Sequence, residues 1–293
     1  MAIYVKFWGT RGSIPTPASW TRVYGGNTSC VEVRMGDTLI ICDSGSGIRE
    51  LGKDLLSRRP PPKELHLLLT HTHWDHIQGF PLFAPAFTKM ARIIVYERKP
   101  GDASLYELLS GQMSSEYFPV AFRDLGAEIV LDSFVDGVKK VQGVCMRSFP
   151  LNHPGGCHGF VFEAEGRKIV YATDNELIVP EGQEFRGNEI TAPLRPPPPL
   201  LLEMARDADL LITDAQYSEW EYAVKRGWGH SSCLSVTDWA VASNVSHVAL
   251  FHHDPECSDL EIDARVSQCA MRAAHHGSNV TVFGAREGVE LKF

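Results

Sequence analysis

The stretch Leu69–Phe80 reads LTHTHWDHIQGF and follows directly on the apolar run ELHLLL. An unbroken apolar run of strand length belongs to a strand covered on both faces. At its end stand His71, His73, Asp75 and His76. Residues two apart on an extended chain point to the same side. His71 and His73 therefore share one direction, while Asp75 and His76 lie where the chain must turn. Imidazole and carboxylate at this density suit a borderline divalent metal, zinc first, with manganese or iron as alternatives. A polar loop whose histidines satisfy one another would account for a lone His, but not for HxHxDH at a strand end. Four groups so close along one backbone cannot all wrap one ion. His71 and His73 are thus expected to serve one metal and Asp75 and His76 another. The missing ligands should come from loops at other strand ends, held by the same scaffold.

Three such ends are present. His153 follows CMRSF, Asp174 follows KIVYA, and the pair His252–His253 follows HVAL. Either histidine of that pair fits, and His252 stands immediately after the apolar run. The rest of the chain reads as strands IYVKFWG, SCVEVRM, DTLIIC, ARIIVYE, AEIVLDS, GFVFEAEGRKIVYA and ADLLITDA, with a hairpin turn at Gly36-Asp37. Helical stretches are fewer: ASLYELLSGQM, CLSVTDWAVASN and SDLEIDARVSQCAMRAAHH, the last with an apolar stripe and an acidic first turn. Helices lying between groups of strands predict sheets in the middle and helices outside. The Pro-rich segments Arg58–Glu64 and Ala192–Leu201 read as surface connections within one domain spanning 1–293.

Composition narrows the functional class. Of the 293 residues 44% are hydrophobic and 22% charged, ordinary for a globular chain with a sizeable core. No apolar stretch approaches a membrane span, and the first ten residues lack a signal-peptide core, so the expectation is a cytoplasmic protein with no membrane contact. Seven scattered cysteines with no CxxC pair fit reduced thiols better than a disulfide framework or a Cys-rich zinc site. A net charge of −8 leans away from long nucleic acid and towards a small substrate. A local basic patch would need Arg11, Arg22, Arg92, Arg98, Lys99 and Arg123 to cluster.

HxHxDH followed in order by His, Asp and His resembles the metallo-β-lactamase superfamily over nearly the whole chain. The resemblance implies an α+β fold: a four-layer αββα sandwich with two central mixed sheets, helices on the outer faces, and a dinuclear site at one edge. It implies that His71, His73 and His153 hold the first divalent cation, that Asp75, His76 and His252 hold the second, and that Asp174 bridges them. Asp43 in LIICDSGSG resembles the family's carboxylate behind the first motif, which would orient a ligand histidine. It also reads as a turn Asp capping backbone amides, and the two roles are compatible.

Two cations about 3.5–4 Å apart can share a hydroxide and neutralise charge on a phosphate or carbonyl oxygen. Three further segments select among substrates. FWGTRGSIPTPASWTRVYGGNTSCVEV, LLITDAQYSEWEY and GWGHSS resemble the phosphodiesterase branch, which includes tRNase Z and the cyclic-nucleotide phosphodiesterases. On that resemblance Asp214 and His230 sit by the leaving oxygen. His230, held charged by Asp214, donates its proton, and Asp75 orients the attacking hydroxide. The plainer readings are a histidine at a helix start, with Ser231 or Ser232 as the N-cap, and a buried structural Asp214. TDAQ stands where tRNase Z has HEAT, and no long Gly/Pro-rich basic arm is visible between the ligand motifs. The favoured substrate is therefore a small phosphodiester such as 3′,5′-cyclic AMP or GMP. A tRNase Z-like RNA 3′-processing endonuclease is the alternative. Lactone or thioester hydrolysis, or a non-catalytic metal-binding sensor, would not need the His230–Asp214 pair. Relatives of this kind are often homodimers.

The remaining candidates read as structural. His66 is a satisfied core residue, His158 opens a strand, and His275 and His276 cap a helix before Gly277. Trp74 and Phe80 read as packing residues rather than a base-stacking pocket.

Overall fold

The computed structural model describes residues 2–89, 91–97, 104–179 and 189–293 of the chain. In the first half lie β1 (Ile3–Gly9), β2 (Cys30–Met35), β3 (Thr38–Cys42), α1 (Ile48–Ser57), β4 (Glu64–Leu68), α2 (Trp74–Ile77), β5 (Arg92–Glu97), α3 (Leu105–Gly111) and β6 (Glu128–Ser133). The second half carries β7 (Val138–Val141), β8 (Val144–Leu151), β9 (Cys157–Ala164), β10 (Arg167–Ala172), α4 (Pro199–Ala205), β11 (Leu210–Asp214), α5 (Glu219–Val224) and α6 (Cys233–Ala242). It closes with β12 (His247–Phe251), α7 (Asp259–His275), β13 (Thr281–Gly284) and β14 (Glu290–Lys292).

Two seven-stranded sheets result, ordered β14-β1-β2-β3-β4-β5-β6 and β13-β12-β11-β10-β9-β8-β7. Each is mixed in the same way. Strands β14 to β3 pair antiparallel and β3 to β6 parallel. Likewise β7 to β10 pair antiparallel and β10 to β13 parallel. The central parallel strands β4, β11 and β12 are mostly apolar and buried along nearly their whole length, because both their faces are covered.

The inner layer is one apolar cluster drawn from both sheets, including Val5, Phe7, Val33 and Ile40 from the first and Met146, Phe162, Ile212 and Phe251 from the second. On the outer face of the first sheet, Ile48, Leu51 and Leu55 of α1 pack against Leu65, Leu67 and Ile93. On the second, Leu234, Val236 and Trp239 of α6 pack against Val170, Leu211 and Val248. This is the four-layer arrangement expected from the sequence. Helix α7 starts on a reciprocal Ser258–Glu261 cap and carries Asp259 and Glu261 at its positive end, Arg272 and His275 at its negative end.

Two of the six residues of the expected basic patch are engaged elsewhere. Arg11 is fully buried, and its guanidinium donates to the carbonyls of Gly25, Asp254 and Cys257. It ties loops together from inside and presents no charge to solvent. Arg92 pairs with Glu64 and Glu128. Arg98 and Lys99 lie outside the described residues. No described helix is long and apolar enough to cross a membrane.

Candidate metal centre

Strands β3, β4, β8, β10, β11 and β12 all run in one direction relative to the site, and each delivers a site residue just past its carboxyl end. Asp43 follows β3, the HTHWDH turn follows β4, and His153 follows β8. Asp174 follows β10, Asp214 ends β11, and His252 follows β12. A pocket outside the carboxyl ends of parallel strands is where open α/β sheets bind ligands. Asp43, Asp174 and His252 each take a left-handed backbone, with φ of 61°, 56° and 57°. Such conformations cost about 1–3 kcal/mol for a non-glycine residue and persist where the surroundings impose them. Here they swing a side chain out of the sheet plane into the common site.

Three groups of potential ligand atoms form among the described residues; Asp214, His230 and His252 make the smallest, and the other two have four members each. His71, His73, His153 and Asp174 make one, and Asp75, His76, Asp174 and His252 the other. Asp174 belongs to both. In the first group His73 Nδ1 lies 3.1 Å from His153 Nε2, and Asp174 Oδ2 lies 3.6 Å from His71 Nε2 and 3.7 Å from His153 Nε2. In the second, His76 Nε2 is 3.3 Å from His252 Nε2 and 3.1 Å from Asp174 Oδ1, and His252 Nε2 is 3.1 Å from Asp75 Oδ2. Zinc bonds of about 2.0–2.2 Å set ligand-to-ligand edges of about 3.3–3.6 Å in a tetrahedron. The observed separations bracket that edge. His71 Nε2 is buried and has no hydrogen-bond partner. A nitrogen aimed at other acceptors with nothing to share a proton with fits a cation and no protein partner. The donor set of imidazoles and carboxylates in two groups is that of a site for two divalent metals, typically zinc.

The surrounding contacts fix which nitrogen faces inward. Asp43 accepts from His76 Nδ1 at 2.9 Å, from the Tyr171 hydroxyl at 2.8 Å and from the Thr70 amide at 2.8 Å. It therefore caps the turn and orients His76 at once. His153 Nδ1 donates to the Gly229 carbonyl at 2.9 Å. In both rings the Nδ1 proton is occupied outward, leaving Nε2 for the centre. Burial, then the neighbouring His76, presses His71 towards its neutral, ligating form. Burial works against a proton on His76, yet Asp174, Asp75 and Asp43 outweigh it and raise its pKa. Asp75 also accepts from the Ser13 amide at 2.7 Å, so the loop after β1 helps aim it. Gly12 lies against the His252 ring so closely that a Cβ there would fall 2.3 Å from it.

His252 thus sits in the cluster, while His253 turns away to the Ala285 carbonyl at 2.9 Å, and burial lowers its pKa to about 3. His230 Nδ1 lies 2.5 Å from Asp214 Oδ2, and its ring stacks on that of His252 at 5.0 Å and meets that of His153 edge-on at 5.1 Å. Burial disfavours its charge, but Asp214, with Asp174 and Asp75 behind it, raises its pKa to about 9. Of the two candidate serines, Ser232 caps α6. Among the other histidines, His66 bonds the Tyr96 hydroxyl at 2.8 Å and His158 the Ser148 hydroxyl at 2.8 Å. Phe80 is packed, but Trp74 is not. It is 65% exposed, because α2 turns its own Asp75 and His76 inward and leaves the intervening side of the turn to solvent.

Several positions escaped the sequence reading. Tyr171 reads as strand core, and only the sheet-to-sheet packing shows its hydroxyl on Asp43. Glu176 accepts from the amides of Gly227 and Gly229, pinning the turn whose carbonyl holds His153. Its place two residues after Asp174 was the available signal. Gly229, at φ 88°, has no room for a Cβ, which would stand 2.3 Å from His153.

Comparison with known proteins agrees with this picture. Residues 38–253 match the Beta-lactamase superfamily domain. Ribonuclease Z of Haloarcula marismortui is 23% identical over 286 residues, covering 86% of each chain. Among solved structures, the metallo-beta-lactamase fold protein YhfI from Bacillus subtilis superposes with a TM-score of 0.67 at 15% identity, covering 100% of this chain and 99% of that one. Human tRNase Z, short form, gives 0.62 at 16%, covering 98% of both. With more than half of the residues matched and two ligand groups at the shared strand ends, the chain belongs to the beta-lactamase superfamily and is a metal-dependent hydrolase.

Proposed function

We propose that this hydrolase, a single domain over 1–293, cleaves phosphodiesters, with RNA cut near its 3′ end as the leading substrate. The observation that carries the reading is the His230–Asp214 pair, 2.5 Å apart and stacked on the candidate ligand His252. An ester of a good leaving group needs no such acid, whereas an alkoxide leaves poorly unless it is protonated. The RNA reading is supported by relatives named Ribonuclease Z that align over most of the chain. Cyclic nucleotides, the favoured substrate on sequence grounds, become the second reading. The acidic balance and the buried Arg11 still speak for them.

His71, His73 and His153 would hold one cation, Asp75, His76 and His252 the other, and Asp174 both. Bound there, two cations supply an activated water and neutralise charge developing on the phosphoryl oxygens. The chain's own residues do the rest. Asp75, aimed by the Ser13 amide, and Asp174 orient the attacking water. Asp214 fixes the His230 Nδ1 proton, so that Nε2 points away from Asp214 and carries the proton for the leaving oxygen. Asp43 and the Gly229 carbonyl keep the ligand rings from turning.

The test uses protein loaded with zinc or manganese in parallel, assayed on a precursor tRNA, a cyclic-nucleotide panel, bis-p-nitrophenyl phosphate, a lactone and a thioester. Cleavage of the precursor near its 3′ end supports the leading reading, and exclusive turnover of cyclic nucleotides supports the second. Turnover of lactones or thioesters alone would sink both. His230→Ala should slow unactivated esters far more than the nitrophenyl ester, and equal slowing of the two removes the proton-donor role.

A further inference from the structure

His230 follows a turn that little in its own sequence would hold still. Gly227 and Gly229 both take left-handed backbone, at φ 84° and 88°. Glycine loses more conformational freedom on being fixed than any other residue. Packing does not compensate, since Trp228 between them is 62% exposed. Yet the turn ends in Gly229, whose carbonyl accepts from His153 Nδ1 at 2.9 Å, and runs straight into His230. A group that must meet a leaving oxygen needs a fixed origin as well as a fixed ring. The contact with Asp214 holds the ring of His230, not its backbone.

The segment after Asp174 supplies that hold, and it grips the chain on both sides of His230. On the near side, Glu176 Oε1 accepts from the Gly227 amide at 2.9 Å and Oε2 from the Gly229 amide at 3.0 Å. On the far side, the Ser231 hydroxyl donates to the Asn175 carbonyl at 2.6 Å and accepts from the Leu177 amide at 2.9 Å. The same segment is tied to the loop that carries His153. There the Glu176 amide donates to the Asn152 carbonyl at 2.8 Å, and the Asn152 amide donates to Asn175 Oδ1 at 3.0 Å. The Glu176 side chain is itself held, because it is buried and the Tyr222 hydroxyl donates to its Oε1 at 3.0 Å.

We propose that Glu176 is a positioning residue for the reaction: one carboxylate, two places after the shared ligand Asp174, sets the backbone of the proton donor His230 and, through the Gly229 carbonyl, the ring of His153. The part that concerns His230 rests on the phosphodiester reading, and the part that concerns His153 does not. The geometry also names the variant that tests it. Glu176→Gln keeps the shape of the side chain but leaves one accepting oxygen. That oxygen belongs at the Oε1 position, where two donors arrive, so the new NH2 group faces the Gly229 amide, donor against donor. Gly229 then loses its anchor while Gly227 and Tyr222 keep theirs. Glu176→Asp retains a carboxylate too short to meet both amides, and serves as the second variant.

Two esters of similar shape and different leaving group provide the probe, diphenyl phosphate and bis-p-nitrophenyl phosphate. Both are given to zinc-loaded wild type, Glu176→Gln, Glu176→Asp and His230→Ala, and the loss of zinc to a chelator is followed separately without substrate. In both Glu176 variants, turnover of the phenyl ester should fall about tenfold relative to that of the nitrophenyl ester, because a small displacement of a positioned group is enough to cost that much. Zinc held with His153 should leave about tenfold faster. A merely structural role would slow both esters alike and leave their ratio at the wild-type value. An unchanged ratio in the Glu176 variants where His230→Ala moves it, or unchanged zinc release, overturns the proposal. If His230→Ala itself leaves the ratio unchanged, the proton-donor reading fails, and faster zinc release in the Glu176 variants still upholds the hold on His153.

Discussion

The two ligand groups are built from the same motif yet differ in kind. The group of Asp75, His76, Asp174 and His252 is buried on every side. It has two carboxylates, and His76 is braced by Asp43, itself held by Tyr171 and Thr70 from both sheets. The group of His71, His73, His153 and Asp174 has only the shared carboxylate, and His73 is exposed. Its bracing comes from a backbone carbonyl on the Gly227–Gly229 turn rather than from a charged side chain. More negative charge and less solvent give the second group the stronger hold on a dication, because attraction grows as the local dielectric falls. The first group faces the open side, where substrate must arrive. One group should thus retain its cation and the other exchange it.

That contrast can be broken or sharpened by experiment. The largest effect belongs to Asp174→Ala, which removes the one residue common to both groups. Metal content should fall towards zero and turnover to background, and retention of a full complement would refute a shared ligand. Next come the unshared ligands. Dialysis against a chelator should release the cation of the first group before that of the second. Correspondingly, His73→Ala should leave one cation tightly bound, while Asp75→Ala should leave one that is easily stripped. Release in the reverse order, read by metal analysis along the dialysis, inverts the comparison.

The supports should matter less, by about 10–100-fold in metal affinity. Asp43→Asn should weaken the second group more than the first, and Gly229→Ala, whose Cβ would strike His153, the first more than the second. The smallest effect lies outside both groups. Burial holds His66 below the ordinary histidine pKa, although Glu64 draws it partly back. Its folded value is lower than its unfolded value of about 6.5, so the unfolded chain takes up the proton first. Stability should therefore fall as pH drops below about 6.5, at no more than about 1.4 kcal/mol per pH unit from this group. Replacing it by Gln should flatten that slope in urea melts at pH 5–7, and an unchanged slope would assign it to the ligand histidines.

Much of this was legible along the chain, for a physical reason. A central strand covered on both faces is mostly apolar, and a ligand at its end must be polar, so such a site residue stands out as a polar break after an apolar run. That pattern marks His71, Asp174 and His252 and, inside TDAQ, Asp214, whereas His153 follows the half-exposed antiparallel strand β8. Helix α7 was readable from its Ser258–Glu261 cap and acidic start. Helix α1 was not, although Ile48, Leu51 and Leu55 fall at helical spacing, because it follows a Gly/Ser-rich turn and has no side-chain cap. Short edge strands such as β13 and β14 left no pattern, since three or four residues cannot show a period.

What the order of residues settled by itself was chemical: which side chains can ligate, that they come in two sets, and that sheets carry them. Only the folded arrangement decided which of His252 and His253 enters the centre, because that depends on a left-handed turn no local propensity specifies. It also decided that Arg11 is internal, that Trp74 is bare, and that Tyr171 and Glu176 serve the ligands. Those outcomes come from contacts between segments far apart in the chain, where packing one sheet on the other chooses among orientations that are locally equivalent.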